Sequence, residues 1–141
     1  MNRWVVLSLL IFLIGAAMWD VISRSFPLWW ILLFAVIGTA EWFGLQGNSF
    51  PELLPAMLPG ALLWLAGRRF PQVIGEGDGL LMLVAGVHLG GAAATALLLA
   101  GLLCAGVFGL LVSAMRHMTP KSRIPFAPFL LLGFVLVVIS V

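Results

Sequence analysis

Charge is what this chain has least of. Only 9% of its 141 residues are charged, while 63% are hydrophobic. A soluble domain carries roughly a quarter charged residues. The chain therefore lacks the polar surface to coat a globule in water, and lipid is the solvent its composition implies. Tyr is absent, yet there are six Trp. Trp4, Trp19, Trp29, Trp30 and Trp42 fall near expected helix ends, which suits an interfacial belt. A single cysteine, Cys104, excludes an internal disulfide and a CxxC metal clamp. It lies in an apolar run and reads as a small buried hydrophobe. A net charge of +2 without a basic–aromatic patch gives no footprint for nucleic acid. There is no GxSxG and no HExxH, and His88 and His117 have no partners at ligand spacing. No metal and no cofactor is expected.

What is present is a series of apolar runs. Inside lipid every backbone group must bond internally, so such runs read as helices. The expectation is an all-α, polytopic integral membrane protein, a single domain over 1–141 with about six transmembrane helices. The runs are 3–20, 27–45, 51–67, 79–90, 92–114 and 126–141. Pro51 suits a helix start, whereas Pro59 is expected to kink the third helix or delay its regular part. Residues 79–115 exceed the about 20 residues one span needs, and Gly90-Gly91 is the natural break. The small residues at 90–96 suit close helix packing.

In a six-helix chain the loops after helices one, three and five share one side. Those loops hold Arg24, Arg68, Arg69, Arg116, Lys121 and Arg123, against Arg3 alone on the other. The positive-inside rule then places these loops in the cytoplasm and both termini outside. A cleaved signal peptide, with Gly15-Ala16-Ala17 as the cut, is the competing reading of the first run.

This orientation brings two acids to one membrane face. Asp20 ends the first helix and Asp78 opens the fourth. Two close carboxylates cannot both ionise cheaply, so one keeps a proton. The charged member can deprotonate water while the other polarises a peptide carbonyl. Helix ends bias the pair: Asp78 at an N-terminus is expected to be the more ionised, and Asp20 at a C-terminus to hold the proton. Arg24, four residues after Asp20, opposes that bias. Gly75 and Gly77 permit close approach of an extended chain. Structural readings stand beside these: a glycine-rich turn with Asp78 as N-cap, and Asp20 salt-bridged to Arg24.

Three stretches resemble the prepilin peptidases, or type 4 leader peptidases, which are GxGD membrane aspartic proteases. "GEGD" (75–78) is similar to the GxGD motif. "DVISRSFP" (20–27) resembles the first-aspartate motif, an Asp with a Pro seven residues on. "RIPFAPFLLLG" (123–133) resembles the family's approach to its last helix. GxGD alone is unspecific; the three in family order cover nearly the whole chain. The resemblance implies a hydrolase at the bacterial inner membrane that removes basic leaders from type IV prepilins at the cytoplasmic face. It implies Asp20 and Asp78 as the catalytic residues. Its partners would be a prepilin-like substrate with an apolar helix, and membrane lipid. No CxxC region is present, so N-methylation is not implied, and the chain looks like the minimal form of Flp/Tad-type pilus systems. It departs from the family at Leu80, where Lys is usual, and at Leu28, where Asn is frequent.

Other acids and bases read more plainly. Glu76 is a solvated loop acid or a contact for a basic leader. Glu41, within the second run, faces the outer interface or makes a buried polar contact. His88 packs between helices, and Arg68 and Arg69 anchor at headgroups. Pro125 and Pro128 fix the loop before the last helix. The alternatives in other classes are a non-catalytic scaffold or small transporter on the same fold, or a GxGD protease with another membrane-anchored substrate.

Overall fold

The computed structural model describes residues 2–23, 26–71, 75–115 and 126–140. These form six α-helices and one short 3-10 turn, with no strand among the described residues: α1 (Arg3–Ser23), α2 (Leu28–Gly44), α3 (Leu53–Arg69), α4 (Glu76–Leu89), α5 (Gly91–Ala114) and α6 (Ala127–Ser140). Three segments are long and apolar enough to cross a membrane: Arg3–Ser23, Phe50–Arg69 and Gly91–Ala114. Arg24, Arg116, His117, Lys121, Arg123 and Pro125 lie outside the described residues. Arg68 and Arg69 close α3, where cations favour a helix C-terminus, and the Arg68 guanidinium sits 5.1 Å above the Trp64 ring.

Local chemistry accounts for the boundaries. Ser49 and Glu52 form a reciprocal capping box across Pro51, with the Ser49 N–H donating to Glu52 Oε2 at 3.1 Å. α3 follows directly and runs unbroken past Pro59. The expected delay is therefore not seen. Pro59 withholds a donor from the Pro55 carbonyl, in the first turn, and the rest of the helix packs on α4. The break at Gly90 is as expected: φ +87° with ψ 170° is a conformation that glycine alone adopts readily. α4 begins earlier than position 79. Gly75 is extended and takes the N-cap place, so Asp78 lies inside the first turn instead of capping it.

α4 occupies the centre of the bundle. Every residue from Leu81 to His88 except Leu83 is buried. Its 14 residues rise about 20 Å, short of the roughly 30 Å apolar slab. A helix this short is sheltered by its neighbours. Glycines let α3 approach it to backbone contact: a Cβ at Gly60 would strike the Leu83 backbone, one at Gly79 the Trp64 backbone, and one at Gly86 the Ala56 carbonyl. Small residues of this kind are what bring helices together where no hydrophobic effect operates between them. At α5 the small-residue stretch serves less widely. Gly91 adjoins Pro55 and Ala94 is buried, but Ala92 and Ala96 are exposed. Cys104 is partly buried.

Aromatic residues join α1 to α2. Trp30 lies against Gly15, donates its Nε1–H to the Phe12 carbonyl at 3.3 Å, and stacks on Phe34 with centroids 4.8 Å apart. Trp42 is buried and donates to the Ser49 carbonyl at 3.2 Å. Neither is a free interfacial Trp, because each finds a backbone acceptor within the fold.

Gly86→Ala is expected to destabilise the bundle by about 1–3 kcal/mol through backbone overpacking. Gly106→Ala, where nothing lies within 4 Å of the added carbon, should be neutral or slightly stabilising. Thermal unfolding of the two variants in one detergent checks this.

Candidate active site

The motif "GEGD" makes a single tight turn at the start of α4. Gly75 supplies the carbonyl that accepts the Asp78 N–H at 3.2 Å. The Asp78 carboxylate folds back over this turn, its Oδ2 3.4 Å from where a Gly75 Cβ would lie. Glu76 is exposed and Asp78 half-buried. Both acids are in the first turn, where the free N–H groups and helix dipole favour negative charge. Gly67 of α3 packs against the Gly75 carbonyl, 3.1 Å from the Cβ position. Asp78 thus sits about one turn inside the level of Arg68 and Arg69.

Asp20 is reached from another direction. It lies in the last turn of α1, is only 7% exposed, and its Oδ2 accepts the Ala127 N–H at 3.1 Å. Ala127 is the first residue of α6. The carboxylate of one helix therefore serves the unsatisfied N-terminus of another. This changes the expected electrostatic asymmetry. Both carboxylates lie at the positive end of a helix, Asp78 in its own and Asp20 against α6. The positions that hold Asp20 come from opposite ends of the sequence, so no local pattern reveals the contact.

The two acids share one end of the bundle. Phe26, just before α2, lies on Gly77, where an added Cβ would lie 2.6 Å from the ring. Gly77 is the residue before Asp78, so the Phe26 ring lies directly against the α4 turn. Gly77 is required here for the ring's approach. Leu80 is half-buried and packs on the apolar cluster built around Leu9, Phe12, Leu81 and Phe134. A leucine at this position faces the core instead of standing beside Asp78 as a cation. The proposed Asp20–Arg24 pairing falls outside the described residues. Among the described residues no group of three or more His, Cys, Asp and Glu side chains is placed to hold a metal.

A second polar group lies at the opposite end of the bundle and was not legible in the sequence. Glu41 is buried, which decides its position in favour of a buried polar contact. It accepts a hydrogen bond from Ser8 at 3.0 Å and lies 3.6 Å from the fully buried His88.

Removing the Asp20 carboxylate costs the α6 N-terminus a charged acceptor, a contribution of about 1.5–3 kcal/mol. Asp20→Ala is expected to lower the midpoint of thermal unfolding clearly, and Asp20→Asn less, because an amide oxygen still accepts the Ala127 N–H. Equal midpoints for the two variants would contradict this placement.

Comparison with family models, with curated proteins and with solved structures found no match to this chain.

Proposed function

We propose that this protein is a membrane aspartic endopeptidase. It cleaves the leader from type IV, Flp-like prepilins at the cytoplasmic face of the bacterial inner membrane. The observation that supports this reading most is the placement of Asp20 and Asp78 at one end of the bundle, with Phe26 seated on Gly77 between their two segments of chain. The three sequence resemblances supply the substrate class.

In this reading the substrate's apolar helix lies in the membrane and its leader junction extends across the α4 turn. The ionised aspartate takes a proton from water, and the resulting hydroxide attacks the scissile carbonyl carbon. The protonated aspartate donates to the carbonyl oxygen as the tetrahedral species forms. Collapse breaks the C–N bond: the proton taken from water passes to the departing amine, and the second aspartate takes back the proton it gave to the carbonyl oxygen as C=O re-forms. Both carboxyls return to their starting states, and neither metal nor thiol enters. Exposed Glu76 is positioned to meet a basic leader. The buried Ser8–Glu41–His88 group favours a second reading, a non-catalytic transporter, since such proteins carry polar groups within the bilayer.

Two experiments test the proposal. Co-expression with prepilin precursors that carry a basic leader should yield leader-free product. Asp20→Asn and Asp78→Asn should each lower the cleavage rate by about 10²-fold or more. Unimpaired processing by either variant rejects the two-aspartate mechanism. For topology, a cysteine at Phe70 is expected to react with an impermeant maleimide only from the cytoplasmic side, and one at Gly47 only from outside. The reverse pattern places the site on the wrong face for this substrate.

A further inference from the structure

The Ser8–Glu41–His88 group has a hydrogen-bonding arrangement that specifies a proton. His88 is fully buried. Its Nδ1 lies 2.9 Å from the Val84 carbonyl oxygen. A carbonyl can only accept, so Nδ1 must carry a hydrogen, and in the neutral ring Nε2 is then bare. Among the described residues Nε2 has no hydrogen-bond partner, and the atom it faces is Glu41 Oε2 at 3.6 Å. A bare imidazole nitrogen and a charged carboxylate would meet lone pair to lone pair in an apolar interior. One added proton removes the conflict. It makes the contact either imidazolium to carboxylate or carboxylic acid to imidazole, and both draw together as a charge-assisted hydrogen bond.

The surroundings are built to hold this pair. The ring occupies the space left by Gly38 of α2, where a Cβ would lie 2.7 Å from both Cε1 and Nδ1. Gln46, just beyond α2, donates to the His88 carbonyl at 3.0 Å. Ser8 of α1 lies 3.0 Å from Glu41 Oε2 and 3.0 Å from the Val5 carbonyl. The groups thus connect α1, α2 and α4. Among the described residues α1 presents only the neutral Ser8 to Glu41, and α2 and α4 present Glu41 and His88 to each other. α3 meets this part of α4 through Ala56 and Met57 beside Gly86. The charged residues Arg3 and Glu52 at this end are exposed.

We propose that Glu41 and His88 form a built proton-binding site, which holds one proton between them and locks α2 to α4 at the end of the bundle opposite the aspartates. The site is independent of any protease activity. Its linkage has a definite sign. In the unfolded chain at neutral pH the Glu is charged and the His is mostly neutral, so the two hold no shared proton, whereas the folded pair holds one. Folding takes up a proton, and stability falls as pH rises, with a slope that approaches one proton.

The test uses the full chain in lipid nanodiscs. Thermal unfolding is followed from mildly acid to mildly alkaline pH for the wild type and for Glu41→Gln. The glutamine cannot titrate: its NH₂ in the place of Oε2 donates to Nε2 and to the Ser8 hydroxyl oxygen, while Ser8 donates to the Val5 carbonyl. The wild type is expected to lose stability with rising pH, and Glu41→Gln to lose that part of the slope. Identical pH slopes in the two proteins overturn the proposal. If Glu41→Gln fails to fold, ¹⁵N spectra of the wild-type histidines decide, with His88 assigned by its absence from a His88→Asn spectrum or, failing that, by its Nδ1–H. A proton-dependent Nε2 signal with Nδ1 protonated throughout supports the site. A bare Nε2 beside a charged Glu41 across the whole folded range overturns it.

Discussion

The close approach of α3 and α4 is the constraint on which the rest of the bundle depends. Gly60 on α3, and Gly79 and Gly86 on α4, leave no space for a side-chain carbon between the two backbones. This contact does not depend on excluding water, which has little force between helices in lipid; it depends on shape. It seats α4 among the other helices, and α4 carries Glu76 and Asp78 at one end and His88 at the other. α4 is shorter than an apolar slab is thick, and a helix terminus inside such a slab is tolerated only where protein surrounds it. The Gly90 turn and the Gly75 carbonyl satisfy backbone groups at the two ends.

The two ends of α4 differ in exposure. Around Asp78 the turn is partly open: Glu76 is exposed and Asp78 half-buried. The hydrolysis proposed above needs both water and an extended peptide, and a partly open end is compatible with that. Around His88 the packing is closed, with the ring fully buried and filling the space at Gly38. A proton held there, as proposed, would be shielded from solvent and would contribute to how α2 and α4 meet. Leu80 lies between these ends and turns into the core. The first turn of α4 is therefore anchored by apolar packing on one face while its acids stand on another.

Asp20 has a structural role beside the catalytic one proposed for it. Its hydrogen bond to Ala127 orients the start of α6 and holds the side chain in place. A catalytic carboxylate benefits from such restraint, since proton transfer requires defined geometry. The same bond gives Asp20 a structural role, which is why substitutions that keep an acceptor separate it from the proposed catalytic one.

Much of this protein is written along the chain itself. The apolar runs specify six helices because unpaired backbone groups are so costly in lipid. Gly90 stops α4 through its own backbone angles, and the Ser49–Glu52 box starts α3 through contacts a few residues apart. Asp78 at the head of α4 was legible for the same local reason. The tertiary structure decided what no spacing encodes. It put Asp20 against Ala127, Phe26 against Gly77, and Ser8, Glu41 and His88 into one group. These partners lie on separate helices, and which faces meet is set by where glycines let backbones touch. A histidine and a glutamate without neighbours in the sequence become a pair only when that packing brings them together.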